Sequence, residues 1–251
     1  AGSRISANDL FITATASKTT VHEQEAILLT YKVYTVVNLR QLYGKMPDLK
    51  GFHTQEVELP QQKTFTLEHY KGRNYNTTVW SQYVLFPQQT GKLEIPSITF
   101  DGVVAQQTIS DDPFDAFFNG GGYVEVKKKI TTPKVVINVQ LLPAKPAGFS
   151  GAVGEFKLAS SINATDVKTN DAVTIKLTLS GTGNMKLIGT PEVKFPQDFE
   201  IYDPKVTDDY KLTNSGLTGT KTFEYLAIPR HAGNFTIPEI EFTYFDLKSN
   251  S

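Results

Sequence analysis

Apolar and polar residues alternate with a period of two along most of the chain. Such alternation marks strands with one buried face. LFITATA at 10–16 is the first, and AILLTYKVY at 26–34 follows with Ile27, Leu29, Tyr31 and Val33 in one phase. FKLASSI at 156–162 and AVTIKLTLS at 172–180 repeat this pair, with Val173, Ile175, Leu177 and Leu179 taking the same phase. Segments 51–59, 65–72 and 76–86 read as further strands in the first half, and 198–206, 208–214 and 219–228 in the second. No segment longer than about ten residues keeps an apolar period of 3.6, so helices are expected to be minor.

The halves are related. YVLFPQQTGKLEIPSITF at 83–100 aligns without a gap on YLAIPRHAGNFTIPEIEF at 225–242, a spacing of 142 residues. Tyr83/Tyr225, Pro87/Pro229, Gly91/Gly233, Ile95/Ile237, Pro96/Pro238, Ile98/Ile240 and Phe100/Phe242 fall in register. Each copy predicts a strand, a Pro-x-x-x-Gly turn and a second strand interrupted by Ile-Pro, where proline belongs at an edge or a bulge. Earlier in each half Val21/Val167, Ala26/Ala172, Ile27/Val173 and Asn38/Asn184 coincide at a spacing of 146. A repeat of this length with about seven short strands per copy predicts an all-β chain of two tandem immunoglobulin-like β-sandwich domains.

The expected boundaries are 1–143 for the first sandwich, 144–154 for a Pro/Gly hinge and 155–251 for the second. The first closes with a strand in TPKVVINVQLLP, whereas the second stops nine residues after Phe242. It is therefore expected to lack its last strand and to come from a longer protein.

Residues 101–130 leave the alternating pattern and read as an insert in the first domain. The insert combines Asp111, Asp112 and Asp115 with Phe114, Phe117 and Phe118, followed by Gly120, Gly121 and Gly122. Consecutive glycines lose much entropy on ordering, so a mobile loop is expected. Two readings stay open for the phenylalanines. They fold back as a lid on the sandwich edge, or they form a docking loop, since exposed apolar clusters mark interaction sites. On the second reading Asp112, Pro113, Phe114, Asp115, Phe117 and Phe118 are the partner-binding residues. The aspartates lack the residue order of a calcium loop, and Lys127, Lys128 and Lys129 read as a solvated strand edge.

Composition narrows the function. A net charge of -1 brings no general attraction to nucleic acid. No run of 18 apolar residues is present to span a membrane. Cysteine is absent, which removes disulfides, thiolate metal sites and cysteine nucleophiles. His22, His53, His69 and His231 have no metal-ligand spacing, and no nucleophile elbow, Walker loop or dinucleotide fingerprint occurs. Gly181-Thr182-Gly183-Asn184 follows a strand but leads into no helix pattern, so a tight strand exit fits better than a phosphate loop. Trp80 reads as core packing. No enzyme, no metal and no cofactor is expected.

Four motifs carry a family resemblance. LPAKPAGFSGAVGEF at 142–156, SGTGNMKL at 180–187, FPQDFEIYDPKV at 195–206 and GLTGTKTFEYLAIPRHAGNFTIPEIEFTYFD at 216–246 follow in that order. Together they resemble BatD, the oxygen-tolerance (Bat, aerotolerance) family of bacteria. The resemblance implies exported β-sandwich domains on the periplasmic face of the inner membrane, anchored by a C-terminal helix outside this sequence. It implies partners among von Willebrand factor A-domain membrane proteins and, indirectly, a MoxR-type AAA+ ATPase system, and it brings no catalytic residues. The expected function is a non-catalytic interaction module of such a complex. A carbohydrate-binding or adhesive surface module is the alternative, and would need a planar exposed row of aromatics; Tyr70, Tyr75 and Trp80 are the only cluster in sequence.

Overall fold

The structure is a computed structural model that describes residues 5–108, 112–118 and 122–251, with the side chains of Asp115 and Ala116 outside the description. Its strands begin with β1 (Leu10–Ala16), β2 (Thr20–His22), β3 (Ile27–Thr35) and β4 (Asn38–Tyr43). β5 (Phe52–Glu56), β6 (Thr66–Tyr70), β7 (Arg73–Pro87), β8 (Gly91–Ile95) and β9 (Thr99–Gln107) follow. A short helix, α1 (Pro113–Phe118), precedes β10 (Tyr123–Thr131) and β11 (Val135–Gln140). The second half holds β12 (Phe149–Ile162), β13 (Val173–Gly183), a 3₁₀ turn at Met185–Leu187, β14 (Phe199–Ile201), β15 (Lys205–Thr213), β16 (Gly216–Pro229) and β17 (Thr243–Asp246). No helix among the described residues is long and apolar enough to cross a membrane.

The chain is all-β, and both halves use one immunoglobulin-like strand order. The first sheet runs β1-β3-β7-β5 with β6 also on β7, and its counterpart runs β14-β16-β13-β12-β17 with β15 also on β16. β1, β3 and β7 thus correspond to β12, β13 and β16. By compactness the chain divides into one unit of Ala1–Thr20, Leu28–Leu85 and Gly91–Asn138, and another of Val21–Ile27, Phe86–Thr90 and Val139–Ser251.

The alternation dictates the cores. Ile27, Leu29, Tyr31 and Val33 are all fully buried along one face of β3, and Val173, Ile175, Leu177 and Leu179 are buried along β13. Each such side chain contributes roughly 1.5–3 kcal/mol by leaving water. In the second unit Leu177, Leu179, Phe223 and Tyr225 pack with Phe156, Met185 and Leu217.

Three expectations are corrected. Residues 101–107 and 123–130 do not leave the strand pattern: β9 and β10 pair antiparallel from Tyr123↔Gln107 to Thr131↔Thr99. The alternation is hidden there because β10 lies at the edge of the sheet β10-β9-β4 and exposes residues on both faces. Half of the expected hinge is strand, since β12 begins at Phe149 and buries Ala152 and Val153. Finally, residues 230–242 hold no strand, although their copy in the first half forms β8 and part of β9. β8 pairs with β11 and β9 with β4 and β10, whereas no strand partner meets 230–242 among the described residues. Only β17 follows, paired in parallel with β12.

The glycine motif is a strand exit. β13 runs through Gly183, and a Cβ on Gly181, at φ +147, would lie 2.0 Å from the Glu155 carbonyl oxygen on β12. Buried Asn184 then ties the turn down. Its Oδ1 accepts from the Val153 backbone N–H at 2.8 Å, and its Nδ2 donates to the Gly151 carbonyl at 2.8 Å.

Candidate functional site at a hairpin tip

β9 and β10 carry the candidate docking residues to the far end of their hairpin. The ladder continues past the strands, where the Thr108 N–H donates to the Gly122 carbonyl at 2.8 Å. Asp112 then sets up the turn into α1: its Oδ1 accepts from the Phe114 backbone N–H at 2.9 Å. Aspartate before a helix satisfies an orphan donor, and Pro113 at the first helical position gives up no hydrogen bond there.

One helical turn brings Phe114 and Phe118 together, with ring centroids 4.7 Å apart, and Phe117 meets Phe118 edge-on at 5.3 Å. Phe118 thus meets both of the other rings. Phe114 is 72%, Phe117 82% and Phe118 67% exposed. The lid reading is therefore corrected: these side chains project into solvent. Of the expected partner-binding residues, Asp112, Pro113, Phe114, Phe117 and Phe118 sit together at this tip. Asp115 belongs to the same helix with its side chain outside the described residues, as are Asp111, Gly120 and Gly121.

The other candidates disperse. His22 packs its ring 5.0 Å from Phe245, His69 Nδ1 lies 2.9 Å from Asn74 Oδ1, and His231 is exposed in a turn. Among the described residues no three His, Asp or Glu side chains gather as metal ligands. Lys127 and Lys129 are exposed on β10, and Lys129 lies 3.7 Å from Asp101. Trp80 is half-buried with the Lys63 ammonium over its ring.

The aromatics that a sugar platform would need are arranged otherwise. Tyr70 and Tyr75 join Phe11 and Tyr34 in a cluster where Phe11–Tyr75 and Tyr34–Tyr75 meet edge-on. Tyr75 is buried and its hydroxyl donates to the Asn8 carbonyl at 3.0 Å. Edge-to-face packing is how such rings build a core, and it offers no flat row. This cluster was missed from sequence because Phe11 and Tyr34 come from strands distant in the chain.

Burial perturbs two tyrosines that the repeat relates. The Tyr83 phenol is pushed up by burial, and that of Tyr225 is raised to about 12 for the same reason. Tyr225 donates its hydroxyl to the Pro191 carbonyl. The Arg230 guanidinium holds the Glu200 carboxyl below the usual carboxylate range through hydrogen bonds, with the Tyr202 hydroxyl adding to the effect.

Comparison with known families agrees with this picture. The family described as "BatD DUF11 like domain" matches residues 14–139 and 160–251, and so covers both repeats. The chain belongs to the BatD family. BatD domains are a non-catalytic kind of family, and membership relates the chain to aerotolerance. A comparison with curated proteins gives no match. Among solved structures, the type II cohesin dyad from the adaptor ScaA scaffoldin of Acetivibrio cellulolyticus aligns at 9% identity, over 91% of this BatD chain and 83% of its own, with a TM-score of 0.23. At that score the likeness carries no argument.

Proposed function

We propose that the chain is a non-catalytic interaction module of a membrane-anchored aerotolerance complex. It works on the periplasmic face of the bacterial inner membrane and binds von Willebrand factor A-domain partners, with a MoxR-type AAA+ ATPase acting in the same system. BatD membership supports the reading, and the exposed phenylalanine cluster carries it. Three rings at the tip of a hairpin, 67–82% exposed, leave apolar surface in water. Covering such side chains is worth roughly 1.5–3 kcal/mol each, which suits the anchor of an interface.

The test is binding of this chain to von Willebrand factor A-type domains, with and without Mg²⁺. The expected result is saturable binding, weakened at least about tenfold when Phe114, Phe117 and Phe118 are changed together to Ser. Binding kept by that variant moves the interface elsewhere, and no binding at tens of micromolar overturns the reading.

A further inference from the structure

β10 forms the edge of the sheet β10-β9-β4, and no strand pairs with its other side among the described residues. Two bonds beyond the strand ends fix which of its backbone groups are free. The Thr108 N–H donates to the Gly122 carbonyl at 2.8 Å, and the Thr132 N–H donates to the Ile98 carbonyl at 2.9 Å. Both pairs continue the β9–β10 register, and both fall on even-numbered residues of the β10 side. Bonded and unbonded pairs alternate along an antiparallel ladder. Val124, Val126, Lys128 and Ile130 therefore bond to β9, whereas Tyr123, Glu125, Lys127 and Lys129 turn their N–H and carbonyl groups outward.

This edge is open to water on its side-chain faces as well. Tyr123 is 66% and Val124 49% exposed, and the Lys129 side chain keeps 80% of its surface. Val126 and Ile130 stand opposite the buried Val104 and Phe100, so the even-numbered residues continue the core face. Tyr123, Glu125, Lys127 and Lys129 occupy the outer face. A long exposed edge invites another strand, and lysines ordinarily blunt it. Here they leave one pairing favoured. When two β10 strands meet antiparallel about Val126, Glu125 of each copy faces Lys127 of the other, and Tyr123 faces Lys129. Every outward backbone group from Tyr123 to Lys129 then finds a partner. Centring the pair on Lys127 sets Lys127 against itself, and centring it on Glu125 sets Glu125 against itself. Opposite charges across a strand pair stabilise it and like charges oppose it.

We infer that this edge pairs with the β10 of a second copy, antiparallel and centred on Val126, so that two three-stranded sheets become one. The contact is isologous and closes on itself, which gives a dimer rather than a fibre. A foreign strand would have to bring its own acidic residues to Lys127 and Lys129. The second copy already supplies the Glu125 carboxylate to the first and the Tyr123 ring to the second, where an ammonium is well placed. Antiparallel pairing leaves the two phenylalanine tips at opposite ends of the joined strands. The dimer thus goes beyond the function proposed for the tip and does not depend on it.

Sedimentation velocity of the 251-residue chain tests the pairing. A reversible dimer is expected at or below several hundred micromolar. Lys127→Glu brings like charges together at two places and should weaken the dimer at least about tenfold, as should Glu125→Lys. Combining Glu125→Lys with Lys127→Glu restores opposite charges and should restore the dimer. Both positions are exposed, so each variant keeps its fold. The chain has no cysteine, so Val126→Cys reads the register directly. The two copies of residue 126 form an unbonded pair with Cα atoms about 4.5 Å apart, within reach of a disulfide. Val124→Cys places its two copies about 14 Å apart. Oxidation should cross-link the former and not the latter. A chain that stays monomeric at several hundred micromolar overturns the inference. So does a dimer that Lys127→Glu leaves intact, one that the double exchange fails to restore, or equal cross-linking at 124 and 126. A monomer that captures a synthetic peptide of alternating Val and Glu would give the edge to another polypeptide and overturns it too. The triple Phe-to-Ser variant should dimerise unchanged; a dimer abolished by that variant would move the interface to the tip and contradict the pairing.

Discussion

Val21 and Val167 hold the same place in the two repeats and have different surroundings. Val21 is buried beside β11; Val167 faces a groove and keeps more than a third of its surface in water. The turn next to each makes the same two backbone hydrogen bonds, Gln24 N–H to the Pro87 carbonyl and Glu25 N–H to the His22 carbonyl in the first half, Asn170 N–H to the Pro229 carbonyl and Asp171 N–H to the Lys168 carbonyl in the second. Local sequence therefore builds the frame in both halves, and the strand that fills it decides whether neighbouring segments become strands. β8 exists because β11 is beside it. Residues 233–237 carry related alternation and have no strand to pair with among the described residues.

The largest expected contrast comes from one charge placed at both positions. Val21→Asp puts a carboxylate where no water reaches and should cost about 3 kcal/mol or more. Val167→Asp should stay within about 0.5 kcal/mol, because the site is already solvated. Urea unfolding followed by circular dichroism separates the two, and equal losses would break the comparison.

Next in size is Gly181→Ala. The added methyl meets the Glu155 carbonyl at 2.0 Å on a backbone that L-residues avoid. A loss of roughly 1–3 kcal/mol is expected from the same unfolding measurement. The counterpart at a spacing of 146 is Thr35, so this requirement is peculiar to the second repeat.

A smaller effect appears at high pH. The Tyr225 phenol titrates at about 12 in the folded chain because burial disfavours its phenolate. An unfolded tyrosine titrates near 10. The folded state thus holds this proton more tightly; its stabilising contribution is complete below about pH 10 and is lost as pH rises through about 12. Tyr225→Phe should flatten that part of the stability profile, while a profile of unchanged slope would contradict the assignment. The smallest effect belongs to the tip: changing Phe114, Phe117 and Phe118 to Ser should alter the unfolding midpoint by no more than about 0.5 kcal/mol, as befits exposed side chains.

Much of this architecture was legible in the chain. The phase of Ile27 to Val33 and of Val173 to Leu179 predicted the buried faces of β3 and β13, and the match of 83–100 to 225–242 predicted the repeat. Periodicity reports which face is buried, however, and says nothing of which strand lies alongside. That is why 230–242 reads as strand in the sequence and holds none, and why the β9–β10 hairpin, with its Lys127 to Lys129 run at an exposed edge, reads as an insert. The tip residues were legible as a cluster of phenylalanines, but a six-residue helix is too short to declare its period. The exposure of Val167 depends on which strand lies alongside it, which the alternation of its own segment does not encode.

Amide hydrogen exchange on the 251-residue chain tests the difference between the repeats directly. Strand amides paired within a sheet exchange only through opening, whereas unpaired ones exchange freely. The account predicts strong protection in β8, Gly91–Ile95, and little protection across the aligned residues 233–237. Equal protection in the two segments would mean that 233–237 is already paired, and the open groove would have to be given up.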